Sequence, residues 1–591
     1  MGAREFIVAG AAVAFAAFAE CRAEETVVVY PANAIIVSHG GDAAEELALH
    51  LKLIAGVDVP VIRDAKEADG RFAFRFDSAR VGGSPEACEW IAQPDGVTFR
   101  GNEYFAVVDF LENALGVRWP GGEFVSYERQ NPIRLSATRG AWDPAMRIRN
   151  IRYSGDRWSR RMRRGGHDRP AYGHAFTGHW AKYGLEHRDY FAMREDGVRG
   201  PVDMSAQALA SMNEATRLAA DTDKSLAICC TSTGLVAQVV ADWEAAGRKP
   251  YINLCENDVE IICHCPSCLA LDVTPEKVDK SWQTHFADRY VWFGNKVLET
   301  ARRKRPDVQV CYYAYNRTTD APERERPAEG TVIGLVPTYF SDKYIANYVN
   351  SWKNAGATKF FYRPNRHHYY NYPYLCVGAE EHFFGIVKYL AEQGTIGFDY
   401  DAREVNKGPG FEWFERYVLY HAMQDPSKPF TYWEDHYFQA YGAAAGDAKA
   451  YYRFWRDNVW KKRLEPKMDE IARRGGCFNF ARGLVQHFGE YVSLDDYREA
   501  ERFVAAAEGR QLQPPQSELV AQLRIAHDHS RLLAAAILSN SREATEALAD
   551  YRRAHGYPLY VWSEQYYGDI TGMEKFVGPN PNKKRKKGRK W

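Results

Sequence analysis

The sequence has no excess of either charge: 77 Lys and Arg stand against 77 Asp and Glu in 591 residues. A balance of zero gives no global field to gather nucleic acid or an acidic membrane surface, so neither is an expected partner. Beyond its N-terminal region the chain also lacks an apolar run long enough to span a membrane. No His-Glu-x-x-His pair occurs, so the helical signature of a zinc hydrolase is missing. What the chain has in abundance is aromatics, 14% of residues, with 36 Tyr and 15 Trp. Such rings stack on the apolar faces of sugars, and they equally fill a large core. At 46% hydrophobic and 26% charged the composition is globular, and the length suits two or three domains.

The N-terminus reads as a secretory signal over residues 1–23. Arg4 supplies the positive charge, Phe6 to Ala19 is a short apolar run, and Cys21-Arg-Ala23 places small residues where a signal peptidase cuts. The mature chain is therefore expected to be periplasmic or extracellular, and disulfides are permitted there. Without Cys21, ten of the 11 cysteines remain.

Four further regions follow. Residues 24–140 read as a small α/β domain, with strand-like runs at 34–37, 71–76 and 96–101 and helices at 43–55 and 104–115, each helix stopped by a glycine (Gly56, Gly116). Over 141–407 strands and helices alternate, which argues parallel α/β architecture and suits a (β/α)₈ TIM barrel, a doubly wound sheet being the rival. Its strands are expected at 147–153, 225–230, 251–255, 308–313, 331–336, 359–362 and 395–398. Residues 408–575 carry apolar residues three and four apart and read as a helical region. Residues 576–591 end in Lys583-Lys-Arg-Lys-Lys-Gly-Arg-Lys590, a self-repelling and solvated basic tail.

Chemistry concentrates at Tyr251-Ile-Asn-Leu-Cys-Glu-Asn-Asp-Val-Glu260. A strand here delivers Glu256, Asp258 and Glu260 to one place, and carboxylates at the end of a buried barrel strand are how such a fold presents acids and bases. Glu256 and Asp258, two apart, share a face of an extended chain. Glycosidic cleavage needs an acid for the leaving oxygen and a second group for the developing cation, so a carboxylate pair fits it. Each carboxylate could instead cap a helix, bind a metal or pair with an arginine. Cys263-His-Cys265-Pro-Ser-Cys268 follows at once. With a fourth ligand from His264, Cys255 or Cys229 it could hold a structural zinc; disulfides are the alternative. No other cofactor is required. Asp399 and Asp401 end the last strand and could hold a sugar hydroxyl, act as the second carboxylate or pair with Arg403. Tyr313 and Tyr315 end another strand. His174 and Asn257 are candidate sugar contacts, and His367 to Tyr370 suit a sugar platform. The run Arg160 to Arg164 reads as a solvated face, contact with a uronate or sulfate being the alternative.

Several stretches resemble the bacterial family called domain of unknown function 4838, part of which is classified as glycoside hydrolase family 163. Leu111-Glu-Asn-Ala-Leu-Gly-Val-Arg-Trp119 resembles the N-terminal domain that precedes the barrels of α-glucuronidases and β-hexosaminidases. His174, Tyr190-Phe-Ala192, Asn257-Asp258 before the Cys-x-Cys-x-x-Cys motif, Asp288-Arg-Tyr290, Tyr313-Ala-Tyr315 and Gly394-Thr-Ile-Gly397 are similar to the family's barrel in order and spacing. The resemblance implies a TIM barrel, a secreted glycoside hydrolase and, for the characterised members, endo-acting cleavage at β-linked N-acetylglucosamine. The partner it implies is a glycan or polysaccharide. A carbohydrate-binding barrel without turnover, or a hydrolase of uronate or sulfated polysaccharide, are the alternatives.

Overall fold

The structure, a computed structural model, describes residues 27–64, 66, 70–152, 154–166, 170–200, 226–257, 262–273, 286–337, 339–364, 374–401, 410–476, 479–560 and 568–580. The expected signal segment (residues 1–23), the basic tail, Asp258, Glu260, Arg403 and His367 to Tyr370 lie outside the described residues. The chain divides into two compact units, one of residues 1–79, 89–116 and 129–141, the other of 80–88, 117–128 and 142–591.

In the first unit a six-stranded sheet runs in the order β6-β4-β5-β3-β1-β2, where β1 is Ala34–Val37, β2 Val61–Ile62, β3 Phe72–Asp77, β4 Cys88–Gln93, β5 Gly96–Gly101 and β6 Arg139–Trp142. Helices α1 (Asp42–Ala55) and α2 (Glu103–Asn113) pack together. Gly56 closes α1 in the left-handed conformation, φ 73°, its N–H bonding the Lys52 carbonyl. The Asn102 side chain caps α2 at the Phe105 N–H. Strand β4 is missing from the sequence reading, although its burial alternates as a half-buried strand does; the buried Trp90 ties it to α2 by donating Nε1–H to Asp109 at 2.8 Å.

The second unit holds a six-stranded, all-parallel sheet in the order β7-β12-β11-β10-β9-β8. These are β7 Ile148–Ile151, β8 Tyr251–Asn253, β9 Gln309–Ala314, β10 Thr331–Leu335, β11 Phe360–Tyr362 and β12 Gly397–Tyr400. The helices between them are α3 (Thr233–Ala245), α4 (Ala287–Arg302), α5 (Asp342–Asn354) and α6 (Glu380–Glu392). Every residue of β10 and β12 is buried, as in a parallel sheet covered on both faces. The sheet curls. Lys359, just before β11, reaches Gln309 Oε1 at 2.8 Å and the Tyr251 hydroxyl at 3.3 Å. Tyr251 lies on β8, three strands away and about 14 Å off in a flat sheet, so only curvature brings the two side chains together.

Among the described residues the parallel sheet has six strands rather than eight. The run 226–230, expected as a barrel strand, pairs antiparallel with 190–192: Ala192 N–H bonds the Ala227 carbonyl at 2.9 Å and Cys229 N–H the Tyr190 carbonyl at 2.8 Å. An apolar run reports burial but not the partner that buries it, which is why the sequence misplaces it. The outer edge of β7 pairs with Gly165, and beyond β8 Ala175 N–H bonds the Cys255 carbonyl at 2.9 Å. Loop backbone thus satisfies the polar groups that two further strands would use.

The helical region, α7 (Glu412–Gln424), α8 (Phe430–Phe438), α9 (Ala445–Phe454), α10 (Met468–Arg474), α11 (Phe480–Gln486), α12 (Leu494–Glu508), α13 (Gln516–Ser539) and α14 (Arg542–Ala554), belongs to the same unit as the sheet. Helix α7 is buried along almost its whole length, and its Tyr420 hydroxyl accepts the Ile151 N–H of β7 at 3.2 Å. A capping box at Ser493 and Asp496 starts α12, and Asn540 ends α13 in the left-handed conformation. Trp119, Trp158, Trp352, Trp455 and Trp460 are all essentially buried, so much of the aromatic excess is core. The arginine run is not a solvated face either. Arg161 and Arg163 are buried, their guanidiniums lying over the Trp119 and Trp142 rings at 5.7 and 5.4 Å.

Candidate functional site

Strand β8 ends at Asn253, and the chain continues extended to Asn257 at the carboxyl end of the parallel sheet. That edge is where α/β sheets place chemistry. The Glu256 carboxylate receives the Tyr290 hydroxyl at 2.7 Å, the Asn257 N–H at 2.8 Å and, more weakly, the Ile228 N–H at 3.4 Å. Burial pushes its pKa up to about 7, against the pull of these hydrogen bonds. Burial, with Glu256 beside it, also holds the Tyr290 phenol well above its ordinary pKa, so Tyr290 remains a donor. A cavity of about 20 Å³, room for a water, is lined by Glu256, Asn257, Tyr290, Tyr313, Tyr315 and Arg317 among others.

In the sequence Tyr290 stands in the Asp288-Arg-Tyr290 stretch without a role of its own, and in the structure its hydroxyl holds Glu256. Three successive residues of the helix fan out by about 100° each to hold three pieces of the site. Asp288 accepts backbone N–H groups of Glu323, Arg324 and Glu325. Arg289 grips Asp272 through both nitrogens and donates to the Cys263 carbonyl at 2.9 Å. Tyr290 holds Glu256. The Asp-Arg-Tyr order is the signal that could have found it.

Other expected residues fall around this point. His174 is exposed and its Nδ1 lies 2.9 Å from the Glu256 carbonyl, so the ring donates to the backbone beside the carboxylate. Asn257 is buried and accepts from the Thr177 hydroxyl at 3.4 Å. Tyr313 lines the cavity from β9, and its buried hydroxyl has no hydrogen-bond partner among the described residues. Tyr315 packs on the same core.

Among the described residues Asp399 and Asp401 belong to an ion-pair network with Arg152 and Arg363. The fully buried Asp399 accepts from Arg152 Nη2 at 2.7 Å and Asn150 Nδ2 at 2.5 Å. Asp401 meets Arg152 at 3.2 Å and Arg363 at 3.0 Å. Although burial works against it, Asp399 and then Asp401 hold the Arg152 guanidinium above its ordinary pKa. Arg363 also lies over the Tyr313 ring at 5.3 Å, so Tyr313 joins the network to the Glu256 cavity. A larger cavity of about 420 Å³, between α5 and α6 and lined also by Trp460 and Glu465, contains none of these residues.

The cysteine loop lies against the other side of the Glu256 segment. Of the candidate fourth partners it is Cys229 that joins Cys263, Cys265 and Cys268, all four sulfurs lying within 4.8 Å of one another. Cys255 instead packs by Cys311 in the core of the parallel sheet, and His264 points toward Glu195. None of the described cysteines is in a disulfide.

Fold and site together define an α/β protein with a parallel sheet whose carboxyl edge carries a buried glutamic acid. The chain belongs to the family described as domain of unknown function (DUF4838), which matches residues 119–453, more than half its length. Among solved structures it is similar to a GH138 enzyme targeting pectin rhamnogalacturonan II, at 8% identity over 92% of each chain with a TM-score of 0.39. It is also similar to the Streptomyces plicatus N-acetyl-beta-hexosaminidase, at 12% identity over 73% of this chain and 92% of that one, TM-score 0.37. A third is the GH20 beta-N-acetylhexosaminidase from Streptomyces coelicolor, at 12% identity over 72% and 93%, TM-score 0.38. No curated protein matches the chain.

Proposed function

We propose that this protein is a secreted glycoside hydrolase that cuts a complex glycan at N-acetylglucosamine, with Glu256 as the proton donor. The observation that carries the reading is the Glu256 carboxyl, enclosed beside tyrosines at the carboxyl edge of the sheet, with a pKa raised to about 7. A carboxylic acid kept protonated near neutrality is what a leaving glycosidic oxygen requires. In the proposed reaction Glu256 gives its proton to that oxygen as the bond from the anomeric carbon breaks. The substrate's acetamido oxygen closes onto the anomeric carbon, with Asp258 as the carboxylate that orients it. Water then opens the cyclic intermediate and returns a proton to Glu256. Tyr313 and His174 are the proposed sugar contacts, and the eight-stranded barrel is the proposed closed form of the fold.

A uronate or sulfated substrate is disfavoured, because Arg152 and Arg363 already face Asp399 and Asp401 and leave no net positive charge there. The alternative reading is a carbohydrate-binding protein without turnover. Digestion of a panel of β-linked N-acetylglucosamine glycans by wild type, Glu256→Gln and Asp258→Asn separates the two. The expected result is cleavage by wild type and a loss on the order of 10²–10⁴-fold in each folded variant. Binding without cleavage in all three would favour the binder, and undiminished cleavage by Glu256→Gln would remove it as the acid.

A further inference from the structure

We propose that Cys229, Cys263, Cys265 and Cys268 bind one zinc ion in a closed tetrahedral thiolate centre that clamps the loop after Glu256 and Asn257 to the segment around residue 229. The sulfur spacing is the first ground. Cys229 Sγ lies 3.7 Å from Cys265 Sγ and 3.9 Å from Cys268 Sγ. Zinc–sulfur bonds of about 2.3 Å in a regular tetrahedron put sulfurs about 3.8 Å apart, whereas a disulfide needs about 2.05 Å. The four ligands are 0–5% exposed, so the centre is shut off from solvent.

The surroundings suit thiolates rather than thiols. Met193 N–H points at Cys263 Sγ at 3.3 Å, and the Thr231 hydroxyl lies 3.3 Å from Cys268 Sγ and 3.6 Å from Cys265 Sγ. The Arg199 guanidinium, which donates to the Phe191 carbonyl, lies beside Cys229 and Cys265. Arg289 sits on the Cys263 carbonyl and is attracted to Cys268. Four thiolates around a dication carry a net charge of about −2, and these two guanidiniums are placed to balance it. Four protein sulfurs leave no open position, so the ion is structural and takes no part in turnover.

The clamp joins two separate stretches of the chain. Cys229 follows Ile228, whose N–H points at the Glu256 carboxylate, while Cys263 to Cys268 end the loop that Glu256 and Asn257 begin. Loading requires each thiol to lose its proton, so binding releases protons and weakens in acid. In an oxidising compartment four adjacent thiols would otherwise be open to oxidation.

The test is the metal content of the full-length chain purified from zinc-supplemented medium, by atomic emission and native mass spectrometry, with Co²⁺ exchange as the spectroscopic probe. About one zinc per chain is expected, with the visible absorption of tetrahedral cobalt thiolate after exchange. Cys229→Ser should cut the zinc content at least fivefold and Cys255→Ser should leave it unchanged. A metal-free wild type, or an intact mass four hydrogens light from two disulfides, would overturn the proposal. Loss of zinc from Cys255→Ser would overturn the ligand assignment. None of these readouts depends on catalysis, so they stand whether or not a glycan is cleaved.

Discussion

At the scale of single residues the site turns on one balance. Burial raises the Glu256 carboxyl to about 7, while the Tyr290 hydroxyl pulls it down. Replacing Tyr290 by Phe removes a stabiliser of the ionised form, so the pKa rises further. A general acid works only when protonated, so activity falls as pH climbs through its pKa. The expected outcome for Tyr290→Phe is an alkaline limb of the kcat/KM profile displaced to higher pH, with the acidic limb unmoved. An unshifted limb would separate Tyr290 from the acid. Glu256 itself was legible, because an acid just past an apolar strand-like run is marked by its neighbours in the chain. The burial of Glu256 was not, since its enclosure depends on Tyr290, more than thirty residues further along the chain.

At the scale of elements the sheet depends on close approaches that only small residues allow. A Cβ on Gly334 of β10 would stand 2.5 Å from the Phe361 ring and 2.7 Å from the Tyr313 ring. Gly334→Ala is therefore expected to destabilise by about 1–3 kcal/mol in urea unfolding and to displace Tyr313 from the cavity, raising KM. On β12 the Asp399 carboxylate is wholly buried against Arg152. Removing Asp399 takes one buried ionic partner from Arg152, which keeps Asp401, so Asp399→Ala should cost about 1–3 kcal/mol, read from the unfolding midpoint. If Asp399 bound substrate alone, stability would hold and only activity would fall. Strand runs such as 331–335 were readable because buried parallel strands are uniformly apolar. The run 226–230 has the same composition and a different partner.

At the scale of the whole molecule, the proposed export and the proposed thiolate centre bear on each other, because an oxidising compartment exposes free thiols to oxidation. If the chain is exported as proposed, the mature N-terminus is Glu24, which Edman sequencing or intact mass of the secreted product would show; a retained Met1 would place the protein elsewhere. Local order is set by the sequence alone: helix caps, apolar spacing and glycine stops are written within a few residues of where they act, and so was the Cys-x-Cys-x-x-Cys motif. Tertiary structure decided the rest. It chose Cys229 over His264 and Cys255, gave Asp399 and Asp401 to Arg152 and Arg363, and set Tyr290 on Glu256. Each of these pairs joins residues far apart in the chain, and their distance is fixed by sheet curvature and helix packing rather than by any neighbouring residue.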